Sequence, residues 1–200
     1  MLKHEVVNII NFIRACEPRA PMDLVTPVKE HIKLIEKHNL CGTFLMQYDA
    51  LIDPQFVELM NKKVKELGLK NTHFTNVTGL FDKNHYTTAY DMAIILEAAI
   101  RDPLCRKILS TYQYKSAPTN KHPDGLPMSA TLFNYMYGTE PETATIVGGK
   151  TGFVNESGFC IASFGKNNTT NNEYIVVTLK NSSRWPAIHG QIDLYKQFVQ

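Results

Sequence analysis

No hydrophobic run in this 200-residue chain approaches the ~18 apolar residues that a bilayer-spanning helix needs, so no transmembrane segment is expected. The opening MLKHEVVNIINFIRACEPR sets a basic residue before a short apolar run. Asn8, Asn11 and Arg14 interrupt that run, and no small-residue cleavage site follows. It reads as a strand, not as a signal peptide. Cysteine is scarce: Cys16, Cys41, Cys105 and Cys160 stand far apart and form no C-x-x-C pair, which argues against a zinc ribbon or a dithiol redox motif. Each adjoins apolar residues and reads as a small buried side chain. Charge of one sign accumulates nowhere, since 21 Lys and Arg against 19 Asp and Glu leave a formal +2 without basic or acidic blocks. Nucleic acid and acidic membrane surfaces are therefore not expected partners.

What is present suits a globular protein, with 44% hydrophobic and 20% charged residues in a length that buries roughly 70% of the unfolded surface. Val6 to Ile13 is rich in Val and Ile and reads as a buried strand. Thr26-Pro27 opens a helix with a hydroxyl cap and a first-turn proline. Val28, Ile32 and Ile35 carry its apolar spacing to about His38. Thr43 to Leu51 is a second strand, so the start has a βαβ pattern with parallel strands. Asp53 and Pro54 open another helix with the stripe Phe56, Met60, Val64 and Leu67, and Gly68 supplies its left-handed stop.

Asn71 to Asn84 is polar and irregular, with a turn at Gly79. Thr88 and Asp91 form a capping pair for a helix whose inner face includes Ile95 and Ala99 and which Pro103 ends. Ser110 to Pro141 reads as short strands and a long loop. Thr143 to Thr151, Phe159 to Phe164 and Glu173 to Leu179 are strands separated by the turn-rich VNESG and KNNTTNN. A last helix, about Ala187 to Val199, carries Ile188, Ile192, Tyr195 and Val199 on one side. The expected fold class is α+β: a three-stranded antiparallel C-terminal sheet with packed helices, preceded by a βαβ-like N-terminal unit.

The candidate chemistry lies in GGKTGFVNESGFC, Gly148 to Cys160. On a strand bordering a cleft, the Lys150 ammonium and the Thr151 hydroxyl can both meet a carboxylate through charge-assisted bonds. Gly152 lets a substrate backbone lie flat against the strand, as an added strand would. The Phe153 backbone N–H can then point at an oxyanion, a donor worth about 3 kcal/mol in a transition state. The triplet alone is short enough to arise by chance.

Its surroundings carry more. KELGLKNTHFTNVTGLFDKNHYTTAYDMA, Lys65 to Ala93, resembles the segment after the second active-site motif of serine-type D-alanyl-D-alanine carboxypeptidases, the low-molecular-weight penicillin-binding proteins. ATIVGGKTGFVNESGFCIASFG resembles their third motif with its flanking strands, and NEYIVVTLKNSSRW resembles the end of their catalytic domain. The likeness runs from about Gln55 to Gln200. It implies a partial transpeptidase-like domain, with Lys150, Thr151 and Gly152 as the substrate edge and Phe153 as the oxyanion donor. It also implies that Arg184 helps to hold a terminal carboxylate. The implied partner is a peptidoglycan stem peptide ending in D-Ala-D-Ala, or a β-lactam. The implied compartment is extracytoplasmic, at the bacterial envelope. No cofactor and no metal are implied.

The family works with Ser-x-x-Lys, Ser-x-Asn and Lys-Thr-Gly, and the serine attacks the peptide carbonyl to form an acyl-enzyme. Only the third motif carries over. The first serine of the chain is Ser110, whereas both earlier motifs belong upstream of Gln55. Lys37-His38-Asn39 falls where the second motif would lie, with lysine in place of serine. Ser163-Phe164-Gly165-Lys166 fits the first motif in letters, but on a strand after Lys-Thr-Gly. Thr26 precedes Lys29 by three residues and reads first as a helix cap. His73 and His85 read as turn hydrogen-bonding residues.

Residues 1–54 look foreign to the rest. They are similar to the opening βαβ unit of polysaccharide-deacetylase-like α/β barrels, but the H-x-x-x-H pair of those enzymes is missing, and a site from His4 and Asp49 lacks the family's ligands. A join near Asp53-Pro54-Gln55 suggests a chimera or a rearranged reading frame. The expected reading is a carboxypeptidase homologue without its nucleophile, inactive as this chain. The alternatives are a non-catalytic α+β fragment or chimera with no native ligand, and a carbohydrate-deacetylase-like N-terminal unit. If the N-terminal strands do not complete the C-terminal sheet, an apolar face stays open and the protein self-associates.

Overall fold

A computed structural model describes residues 56–199 other than 119, 121, 137 and 140. The strands at Val6–Ile13 and Thr43–Leu51, the helix from Pro27 and the Asp53-Pro54 cap lie outside the described residues. The chain divides into two units, Met1–Tyr86 and Thr87–Gln200.

In the first unit, residues 56–66 form a helix, α1, with Val64 buried on the expected stripe. Gly68 ends it at φ 71°, as only a residue tolerant of the left-handed region can. Leu69 N–H bonds Val64 O and Gly68 N–H bonds Lys65 O, the paired Schellman bonds that satisfy the last carbonyls. The polar stretch that follows is tied back by Asn61, whose side chain both donates to Phe74 O and accepts from Phe74 N–H. His73 and Tyr86 form an isolated antiparallel bridge. His73 Nδ1 lies 2.7 Å from Asn84 O, and His85 Nδ1 accepts from Thr75 N–H. Both histidines thus serve the turn.

The second unit begins with α2, Ala89–Arg101, capped by the Thr88 hydroxyl accepting from Asp91 N–H. Ala99 is buried as expected, together with Leu96 and Ile100, while Ile95 is half-buried. Pro103 ends α2 and also opens α3, Pro103–Ser110. Asp102 makes that switch possible, because it closes one helix and accepts from Leu104 and Cys105 N–H of the next. Strands β1, Gln113–Lys115, and β2, Pro127–Ser129, pair antiparallel in the stretch expected to hold short strands. That stretch also contains a helix, α4, Thr131–Met136, which buries Leu132 and Met136 one turn apart.

A three-stranded antiparallel sheet follows in the order β3–β4–β5: Ala144–Val154, Gly158–Asn167 and Glu173–Asn181. The β3–β4 ladder runs further than the turn signal suggests, because Val154 pairs directly with Gly158 at φ 64°. The closing helix α5, Arg184–Phe198, starts three residues before the expected Ala187. Its expected stripe of Ile188, Ile192 and Tyr195, continued by Val199 just past its end, is wholly buried. It packs with Leu132, Met136, Ile146 and Ile161 on one face of the sheet. On the other face Leu96 and Ile100 of α2 and Leu109 of α3 pack on Phe164. The sheet is therefore covered on both sides, so successive residues of its central strand are buried on opposite faces, as Ser163 and Phe164 are.

Candidate functional site

Lys150, Thr151, Gly152 and Phe153 all lie on β3, which pairs with β4 alone among the described strands. Their faces are set by an irregularity upstream. Register shifts between Ile146, opposite Gly165, and Gly148, opposite Phe164, so Val147 is an extra residue on β3. Ile146 belongs to the α5-side core, whereas Val147 packs into the core beneath α2 and α3. A Cβ at Gly148 would meet Leu109 O and the Phe164 ring on that α2/α3 side, and one at Gly149 would meet Leu132 on the α5 side. Period-two alternation then puts Lys150 and Gly152 on the α2/α3 face, and Thr151 and Phe153 on the α5 face. Were Val147 paired in register instead of extra, every one of these side chains would change sides.

Lys150 and Thr151 thus flank the strand edge from opposite faces. A molecule lying along that edge meets the ammonium on one side and the hydroxyl on the other. Lys150 is exposed, and its Nζ donates to Thr151 O. Among the described residues nothing lies within 4 Å of where a Gly152 Cβ would sit, so these residues leave room for a backbone to come flush with the strand there. The Phe153 ring is 53% exposed and packs on Phe159 with ring centroids 4.3 Å apart. The turn beyond is braced by the Ser157 hydroxyl against Val154.

Arg184 opens α5. Asn181, three residues before it, pairs with Phe159, which pairs with Phe153, so Arg184 belongs to the same end of the sheet. Strand β5, which leads into it, lies two strands from β3, roughly 10 Å by strand spacing. Its guanidinium rests over the Tyr135 ring, 4.4 Å from the centroid, on the α5 side. Trp185 meets the same ring edge-on. The structure brings Lys150 to Phe153 together on one edge and gives Arg184 an aromatic seat at the same end.

Ser163, the serine of the Ser-x-x-Lys letter match, is fully buried beneath α5. Its hydroxyl donates to Gln191 Oε1 at 2.6 Å and lies 3.1 Å from Tyr195 Oη. That hydroxyl is a structural group. Burial pushes the Tyr195 phenol up to about 12, with the Ser163 hydrogen bond opposing in part. Among the described residues no three His, Cys, Asp or Glu side chains cluster as a metal site. Cys105 is buried as expected, whereas Cys160, also expected to be buried, is half-buried and directly opposite Gly152. The sequence reading passed over Ser157 and Gln191, the second of which has bonds that reach both β4 and β5. The polar Gln191 in the apolar α5 stripe was the available signal for the second.

A helix-covered antiparallel sheet with Lys-Thr-Gly on its outer strand defines the penicillin-binding and transpeptidase-like class. A mutant of the Streptomyces K15 DD-transpeptidase shares this fold at TM-score 0.59 and 23% identity, over 71% of this chain and 54% of that one. Penicillin-binding protein 5 from Haemophilus influenzae matches at TM-score 0.57 and 32% identity, over 74% and 39% respectively. Residues 45–183 match the D-alanyl-D-alanine carboxypeptidase family, and the chain belongs to that family. Its similarity to D-alanyl-D-alanine carboxypeptidase DacF of Bacillus subtilis is 34% identity over 142 residues, 70% of this chain and 34% of the relative. A shorter match to DacA of Haemophilus influenzae reaches 59% over 49 residues, 24% of this chain and 12% of the relative. The chain thus spans about a third or less of the length of these curated relatives.

Proposed function

We propose that this chain retains the substrate edge of a D-alanyl-D-alanine carboxypeptidase and binds the terminal carboxylate of a D-Ala-D-Ala peptide without acylating on it. The observation that carries this reading is Lys150-Thr151-Gly152 on the outer strand of the described sheet, with open space over Gly152. Lys150 and Thr151 supply charge-assisted and hydroxyl bonds to the carboxylate. Phe153 N–H is the oxyanion donor, and Arg184, released from Tyr135, is a second cation for the carboxylate. The Ser-x-x-Lys motif has no counterpart before Lys-Thr-Gly within these residues, so acyl transfer by this chain is absent. Incubation with a fluorescent penicillin tests that half: no covalent label is expected, and stoichiometric labelling would refute it.

We assign the N-terminal segment a different origin; the family match begins at residue 45 and takes in residues 45–54, so the change is drawn upstream of that point and not at Asp53-Pro54-Gln55. The site of action is outside the cytoplasm, as for penicillin-binding relatives. Should the N-terminal strands leave the sheet incomplete, copies of the chain self-associate, which static light scattering reads as a mass above the 22.7 kDa monomer.

A further inference from the structure

Gln191 of α5 is fully buried and spends its whole amide on the sheet. Its Nε2 reaches Ile161 O at 3.2 Å, Val176 O at 3.4 Å and Thr178 Oγ1 at 3.1 Å, while Oε1 accepts from Ser163. Two of these partners, Ile161 and Thr178, border a second register break, and Ser163 and Val176 pair two residues beyond it. Between Phe159, opposite Asn181, and Ile161, opposite Thr178, two steps on β4 span three on β5. The extra residue is therefore on β5, where Lys180 takes φ 58°. A bulge leaves ladder groups in want of partners, and a buried carbonyl left without one bears its full desolvation penalty. Gln191 meets that need with one side chain.

The break also has a particular place. Ile161 is the cross-strand partner of Thr151, and Cys160 and Phe159 are those of Gly152 and Phe153. The stretch of β4 that Gln191 holds is thus the stretch on which the outer edge is laid. We propose that Gln191 is a positioning residue for the Lys150–Phe153 edge: it fixes the β4–β5 bulge and thereby the placement of residues 151–153 on β3. Its functional meaning rests on the carboxylate-edge reading above, and its structural meaning does not.

Gln191→Met keeps length and bulk and removes the four bonds. Ser163→Ala removes one acceptor bond and leaves the donors at the break in place. Residue-resolved amide hydrogen exchange compares 151–153 and 159–161 with 144–146 and 165–167, at the far end of the same ladder. Gln191→Met is expected to speed exchange near the break by about tenfold more than at the far end, the mark of local opening. Ser163→Ala is expected to lower Tm without that contrast. Uniform acceleration over the sheet, or none, means that Gln191 only packs, and overturns the proposal. Should Gln191→Met fail to fold, Thr178→Val removes one partner at the break, with the same local pattern at lower amplitude expected and uniform exchange contradicting it. Titration with a D-Ala-D-Ala peptide separates the two readings. No binding by the unaltered chain sinks the carboxylate edge and leaves the exchange result standing. Binding that Gln191→Met leaves unchanged sinks the positioning role.

Discussion

At Gly148 a Cβ would lie 2.5 Å from Leu109 O and 2.7 Å from the Phe164 ring. Neither the α3 carbonyl nor a fully buried ring can yield cheaply. Gly148→Ala should therefore destabilise the protein by about 2–3 kcal/mol in chemical denaturation. Gly152, four residues along the same strand and open above, behaves oppositely. Gly152→Ala should change stability by less than ~0.5 kcal/mol while weakening peptide binding, since its methyl group occupies the space a ligand backbone needs. Tyr195 adds a pH signature. Its folded pKa of about 12 stands above the ordinary 10.0, so the folded chain holds a proton that the unfolded chain has already lost between those values. Its contribution is complete below pH 10 and declines as pH rises toward 12. Denaturation midpoints should fall more steeply over that window for the unaltered chain than for Tyr195→Phe, and parallel curves would contradict the assignment.

Bulges decide more than helices do at the scale of elements. The one at Val147 sets which face Lys150 takes relative to Ile146. Deleting Val147 leaves Ile146 opposite Gly165 and Gly148 opposite Phe164, and should therefore keep Lys150 on the α2/α3 face with peptide binding preserved, whereas a loss of binding would contradict the bulge assignment. The one on β5 holds Lys180 in the left-handed region at φ 58°, which costs an L-residue about 1 kcal/mol. Lys180→Gly should raise stability by about that amount. Neither bulge was readable beforehand. Ile146, Val147 and Gly148 are all apolar or small, so a one-residue slip leaves the hydrophobic pattern intact. The α5 stripe was legible because four apolar side chains repeat over about three turns, and the Thr88–Asp91 cap was legible because its chemistry is local. Helix α4 escaped notice because six residues are too few to display a period. Helix α3 was hidden by Pro103, which looks the same whether it stops a helix or begins one. The site divided likewise: Lys150, Thr151 and Gly152 stood in the letters, whereas the faces they present and the Gln191 bonds beneath them depend on register.

At the scale of the whole chain, the sequence is a member of the D-alanyl-D-alanine carboxypeptidase family that spans part of its relatives' length. It carries the outer strand, the two covering layers and the closing helix of a penicillin-binding-type domain, yet spans about a third of DacF and has no serine before residue 110. On the proposed reading recognition and bond cleavage are separated, with β3 gripping a carboxylate in a sequence that has no Ser-x-x-Lys before Lys-Thr-Gly. Calorimetric titration of a D-Ala-D-Ala peptide into the unaltered chain and into Lys150→Ala tests this most directly. Saturable binding without turnover, weakened at least about tenfold by Lys150→Ala as loss of a charge-assisted bond requires, is the predicted result. Equal binding by both chains, or release of D-alanine by the unaltered one, would contradict it.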